Sequence, residues 1–156
     1  MKKNILVAFD DSENAFRAVE FVGKFFTPDS KVTLFSVIPD VDTLFLMNSP
    51  ELSPYFVAEK NAFLTLEKKK KEKILIELEK ARAKLVEAGF EQNRIKVKAE
   101  HRRLGIARDI VNESKMGFDV VVMGRRGLNA VKEFFLGSVS HKVFTEVKEN
   151  SVVVVN

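Results

Sequence analysis

The sequence predicts one doubly wound α/β domain, a five-stranded parallel sheet with helices on both faces. Three observations carry this expectation. Short apolar runs alternate along the chain with segments of helical period. Residues 119–123 (DVVVM) are an almost uninterrupted apolar run, as a central parallel strand covered on both sides requires. The first apolar run passes straight into a helical pattern through Asp10, Asp11 and Ser12, which are turn and N-cap residues. At 156 residues the chain fits a single domain spanning residues 1–156, since folding at this length buries roughly 70% of the unfolded surface.

Taken in order, residues 4–9 (NILVAF) read as the first strand. The helix that follows places Ala15, Ala18, Val19, Val22, Phe25 and Phe26 at three- and four-residue spacing and ends at Thr27, Pro28 and Asp29. Residues 31–38 (KVTLFSVI) form a second strand, closed by Pro39 and Asp40. Residues 41–57 hold Pro50, Pro54 and scattered apolar residues that fit neither period, and are expected to be a long connection. From about residue 58 to 88 the pattern is a charged helix with opposite charges at i,i+4 in Glu67/Lys71, Lys68/Glu72 and Lys73/Glu77, stopped by Gly89. Residues 95–99 alternate as a third strand, 106–116 resume a helical period, and 119–123 make the fourth strand. A last helix is expected over 138–146 and a fifth strand over 151–155.

Composition narrows the function classes. Hydrophobic residues are 46% and charged residues 31% of the chain, values of a globular protein. The chain contains no cysteine, so disulfides, thiolate metal sites and cysteine nucleophiles are excluded. The start has no room for a signal peptide and no apolar run reaches the eighteen or so residues of a membrane span, so a cytoplasmic protein with no membrane contact is expected. The net charge of +4 permits only weak attraction to polyanions. The run Lys68 to Lys71 points in four directions around a helix and no aromatic residues interleave it, so nucleic acid is not expected as a partner. His101 and His141 stand on different elements without other ligands, so no metal site is built on them.

The chemistry concentrates after the fourth strand. Gly124-Arg125-Arg126-Gly127, followed by Gly137-Ser138, has the form G-x2-G-x9-G-S between a strand and a helix. Glycines there let the backbone approach a ligand closely, and the helix start offers unpaired N–H groups and a positive dipole end to phosphate. Arg125 and Arg126 lie in the same loop, and guanidinium forks suit phosphate oxygens. Asp10 ends the first strand as Gly124 ends the fourth, and in open α/β sheets ligands lie beyond such strand ends.

On these residues the chain resembles the universal stress protein family, in particular its ATP-binding branch, over nearly its full length. The matching pieces are ILVAFDDSENA at 5–15, VTLFSVIPD at 32–40, DVVVMGRRG at 119–127, FLGSVS at 135–140 and the closing SVVVV. The resemblance implies strand order 3-2-1-4-5 of the adenine nucleotide alpha hydrolase-like kind. It implies a pocket at the β1/β4 switch point for ATP, ADP or AMP, with Mg or Mn held through the phosphates. It also implies a homodimer joined through Val152, Val153, Val154 and Val155. Carried over position by position, Asp10 would contact the ribose, with Ala8 and Phe9 as the adjacent wall, and Val37 would meet adenine through its main chain. Met123 and Gly124 would flank the ribose and α-phosphate. Gly127, Gly137, Ser138 and Val139 would hold the phosphates, joined by Arg126 and Ser140. Two positions depart from the family pattern: Asp11 replaces a common glycine or other uncharged residue, and Ser151 a frequent proline. Asp11 is expected to face solvent at a helix start, where the dipole favours an acid.

The functional expectation is a homodimeric, nucleotide-binding sensor or adaptor in a stress response. No G-x4-G-K-[ST] loop and no S-G-G-x-D-S loop is present, so slow ATP hydrolysis is the most expected of it. The alternative is a nucleotide-free interaction module that dimerises through its last strand, whose open edge invites pairing. A flavodoxin-like redox domain shares the fold class but not the loop.

Overall fold

The computed structural model describes residues 2–38, 53–125 and 136–156, with the backbone alone over 53–63. Five strands, β1 (Asn4–Ala8), β2 (Lys31–Ile38), β3 (Ile95–His101), β4 (Val120–Gly124) and β5 (Ser151–Val155), form one sheet in the order β3-β2-β1-β4-β5. Every neighbouring pair is parallel. Among the described residues the α-helices are α1 (Glu13–Phe25), α2 (Ser53–Glu87), α3 (Ile106–Ser114) and α4 (Ser138–Glu146). The alternation of apolar runs and helical periods thus produces the doubly wound sheet it predicts.

Strand side chains alternate between faces, and the three inner strands carry apolar residues at nearly every position. Ile5 and Val7 of β1 point to one side, where they pack with Val19 and Val22 of α1 and Leu78 and Leu85 of α2. Leu6 points to the other, against Phe35 and Val121, under Ile110 of α3 and Val143 of α4. Ile5, Leu6 and Val7 are all fully buried, and full burial of such a side chain stabilises the fold by about 1.5–3 kcal/mol each. Two hydrophobic cores, one on each face, therefore hold the central strand from both sides.

Local chemistry sets the element ends. Ser12 caps α1 by accepting from Ala15 N at 3.1 Å. Gly89, with φ of 98°, terminates the turn that follows α2. That helix begins at Ser53, about five residues before the period of its charged part suggests. Pro54 is no obstacle there, because a first-turn residue has no helical acceptor for an N–H and proline's fixed φ is already helical. The rest of the expected connection, up to residue 52, lies outside the described residues. The strand β3 runs two residues past its alternating core because β2 continues to Ile38 and pairs with it to His101.

Charges on α2 find partners other than the expected i,i+4 ones, two of them on other elements. Glu67 Oε1 lies 3.2 Å from Nδ1 of His101, Glu77 pairs with Lys80 at 2.8 Å, and Lys73 pairs with Asp11 at 2.8 Å. Exposed i,i+4 pairs contribute only about 0.3–0.5 kcal/mol, so a nearby partner on another element displaces them readily. Lys68 to Lys71 are all exposed.

Candidate functional site

The register places Phe35 of β2, Ala8 of β1 and Met123 of β4 side by side, at the strand spacing of about 4.8 Å. Beyond that row the strands part company. Phe9 N still donates to Phe35 O at 2.8 Å, so Phe35 turns its main-chain groups toward β1. Val37, two residues on, turns its own the same way, but the chain of β1 has by then left the sheet at Asp10. The N–H and C=O of Val37 therefore point past the end of β1, where they meet no main-chain partner among the described residues. Ile38 faces the opposite neighbour, its carbonyl accepting from Arg102 N at 2.8 Å.

The turn that takes β1 into α1 is held by side chains. Asp10 Oδ1 accepts from both Ser12 N at 3.2 Å and Ser12 Oγ at 2.6 Å. Its Oδ2 has no protein partner among the described residues, and Asp10 is exposed. Asp11 adopts φ of 59°, the left-handed region that few residues besides glycine, asparagine and aspartate enter. Its carboxylate is not solvent-facing, as the helix-start position suggests, but only 10% exposed, because Lys73 of α2 covers it in an ion pair. The hydrogen bond to Asp11 in turn raises the Lys73 ammonium above its ordinary pKa.

At β4 the chain is gripped from both faces. A Cβ at Gly124 would lie 2.7 Å from the carbonyl carbon and Cβ of Asn14, so α1 packs directly on this residue. Glycine here serves close packing of helix on strand. From the other face Ser140 Oγ donates to Gly124 O at 2.9 Å, in a buried bond that ties α4 to the strand end. Arg125 N then donates to Val155 O at 2.7 Å and Gly137 N to Arg125 O at 3.0 Å, so the two ends of the glycine-containing loop meet at the carboxyl ends of β4 and β5.

The helix α4 starts just past that junction. Gly137 is its N-cap and supplies no side-chain bond, and its first turn contains no acid. The first N–H groups of a helix have no intrahelical acceptor, and the end that carries them is the positive end of the dipole. By contrast, Ser12 caps the start of α1. The uncapped end therefore stands beside β4.

The expected site residues fall as follows. Asp10, Val37, Gly124, Gly137 and Ser138 lie at the carboxyl ends of the strands or the start of α4, with Ser138 exposed. Ala8 and Met123 belong to the face covered by α3 and α4, and Val139 packs there as well. The Phe9 ring turns away under α1, edge-on to Phe16 at 5.0 Å, so only its main chain reaches the crevice. The Ser140 proton is committed to Gly124. The Arg125 guanidinium turns toward Asn156 Oδ1 at 3.0 Å. Arg126 and Gly127 lie outside the described residues. Val152 to Val155 are half-buried on β5, the last strand of the sheet. No cluster of three metal-ligating side chains occurs among the described residues, and no described helix is long and apolar enough to cross a membrane. Lys73 is the site-adjacent residue that sequence reasoning missed; its charge was legible, its partner on another element was not.

Comparison with known proteins bears on the family and the fold. The family model described as the universal stress protein family matches residues 1–156. Universal stress protein YxiE of Bacillus subtilis is 41% identical over 75 residues, which span 47% of this chain and 47% of that protein. The match thus covers about half the length of that curated relative. Among solved structures, the hypothetical protein MJ0577 aligns with 29% identity over 99% of this chain and 96% of its own, with a TM-score of 0.68. A universal stress protein in complex with cAMP aligns with 20% identity, 99% and 97% coverage and a TM-score of 0.64. The universal stress protein of Archaeoglobus fulgidus in complex with dAMP shows 15% identity, 100% and 98% coverage and a TM-score of 0.54. With the family model matched over its full length, the chain belongs to the universal stress protein family.

Proposed function

We propose that this chain binds an adenine nucleotide, ATP or its di- or monophosphate, in the crevice between the carboxyl ends of β1, β2 and β4. The observation that carries the reading is the uncapped, acid-free start of α4, tied to the carboxyl end of β4, while Asp10, whose Oδ2 has no partner among the described residues, follows the carboxyl end of the neighbouring β1. Helix amides and a positive dipole end suit phosphate, and an ionised carboxylate is acceptor-only and suits ribose hydroxyls. The N–H and C=O of Val37 present an adjacent donor and acceptor, which match the donor and acceptor on the amino edge of adenine. Ala8 and Met123 form the apolar floor between them, while Gly137, Ser138 and Val139 hold the phosphates. Ser140 contributes by fixing α4 to Gly124, and Gly127 and Arg126 complete the phosphate loop.

A divalent cation, Mg or Mn, enters with the polyphosphate, bound through phosphate oxygens. The role that follows is that of a nucleotide-dependent sensor or adaptor in a stress response, with hydrolysis slow at most. Self-association through β5, at Val152 to Val155, makes it a homodimer, since β5 is the last strand of the sheet among the described residues and an apolar edge invites a second strand.

The test is titration calorimetry with ATP, ADP, AMP and cAMP, with Mg or Mn, alongside mass analysis of nucleotide released from the purified protein by denaturation. Binding by wild type that is weakened about tenfold in Asp10→Ala is expected, from loss of a hydrogen bond to a charged group. An empty wild type that gives no heat with any of the four rejects the reading. The nucleotide-free interaction module, favoured by the open edge of β5 alone, then takes its place.

A further inference from the structure

We propose that Lys73 is a positioning residue for the nucleotide site: through its ion pair with Asp11 it pins the β1–α1 turn and so aims Asp10 at the ribose. This inference rests on the proposed adenine-nucleotide site and adds to it a residue from α2, an element that supplies no ligand.

Asp11 is the only non-glycine residue with positive φ among the described residues. It stands between the open carboxylate of Asp10 and the N-cap Ser12 that orients that carboxylate. An L-residue held left-handed needs surrounding structure to keep it there. Lys73 supplies this by a 2.8 Å contact to Asp11 Oδ2, on a side chain that is only 10% exposed. Lys73 itself is 67% exposed, so its ammonium is held in place by Asp11 and not by burial. The C-terminal part of α2 packs through its apolar face against α1 and the sheet, with Leu78, Ala81 and Leu85 fully buried. Lys73 extends that anchored helix to the one strained residue of the turn. A glycine at position 11 would adopt the same φ without help, so the need for Lys73 arises with the aspartate.

The experiment measures dissociation constants for ATP and for 2′,3′-dideoxy-ATP by calorimetry. The variants are Lys73→Met, Lys73→Arg, Asp11→Gly and the double variant Asp11→Gly/Lys73→Met, each checked for an unchanged urea unfolding transition. If Lys73 acts by aiming Asp10, Lys73→Met weakens ATP about tenfold, as loss of a hydrogen bond to a charged group does. The dideoxy analogue, which has no ribose hydroxyls for Asp10, is nearly indifferent. Lys73→Arg retains affinity, and in the Asp11→Gly background Lys73→Met has no further effect. Equal losses for both nucleotides, or a loss that persists in the Asp11→Gly background, mean that Lys73 touches the phosphates directly, and overturn the proposal. Wild-type binding that is indifferent to Lys73→Met overturns it as well. No binding by wild type overturns the reading of the site and, with it, this role.

Discussion

Replacing Gly124 by alanine tests the contact on which the geometry of the crevice depends. The added Cβ would lie 2.7 Å from the carbonyl carbon and Cβ of Asn14 and 2.8 Å from its oxygen. Carbon atoms in ordinary contact are about 3.5–4.0 Å apart, so α1 or β4 has to give way by roughly 0.8 Å or more. Two of the three atoms are backbone, and no rotamer change relieves them. Overpacking of this kind costs about 1–3 kcal/mol, while removing a strand glycine returns about 0.5–1 kcal/mol. The net loss is about 1–2 kcal/mol, or a Tm lowered by about 2–8 °C at this chain length. Asn14 is two residues past Ser12, so the same displacement moves the Asp10 turn and weakens adenine-nucleotide binding. Urea unfolding reads the first effect as a lower midpoint at unchanged slope, and calorimetry reads the second. A Gly124→Ala protein as stable as wild type, with nucleotide affinity intact, would refute the reasoning.

Ser140→Ala removes the buried bond to Gly124 O and leaves that carbonyl unsatisfied, so stability falls by about 1–3 kcal/mol in urea unfolding. Ser12→Ala loses the cap of α1, which costs about 1 kcal/mol in the same assay, and also releases Asp10 Oδ1, so nucleotide affinity drops with it. Burial alone would lower the pKa of Lys98, but its bonds to Glu113 at 2.6 Å and Glu100 at 3.1 Å outweigh that and raise it. Its contribution to stability is then full below the unfolded lysine value of about 10.4 and is lost as pH rises through the higher folded value. A Lys98→Met protein should accordingly show a flatter loss of stability above about pH 10 in alkaline unfolding. If the proposed self-association runs through β5, Val152→Pro, which removes a backbone N–H from the last strand of the sheet, should give a monomer in light scattering.

The parts of the fold written in local pattern were legible. The continuous apolar run of β4 marked it as an inner strand, and the alternation of runs marked the doubly wound sheet, because both depend on which residues are buried and on period alone. Strand order came from the resemblance of motifs such as DVVVMGRRG, since no local signal says which strands are neighbours. Of the candidate site, the places of Asp10, Gly124 and Gly137 at strand and helix ends were legible because chain position ties them there. The role of Ser140 was not: a hydroxyl at a helix start reads equally as a phosphate donor and as a tie to the strand beside it. Lys73 was hidden for a related reason. Its neighbours in sequence offered Glu77, while the partner that holds it, Asp11, is sixty-two positions away and comes close only when α2 packs on α1. Glycine at position 124 was expected to let the backbone approach a ligand, and the structure shows in addition that α1 packs directly on it.

The main-chain bond from Gly137 N to Arg125 O, together with that from Arg125 N to Val155 O, has a consequence for how such a protein diversifies. Both bonds use backbone atoms alone, so the junction of β4, β5 and the start of α4 needs no particular side chain at position 125. A substitution of Arg125 that leaves the backbone in place therefore changes the charge presented at this junction while the frame that presents it stays unchanged.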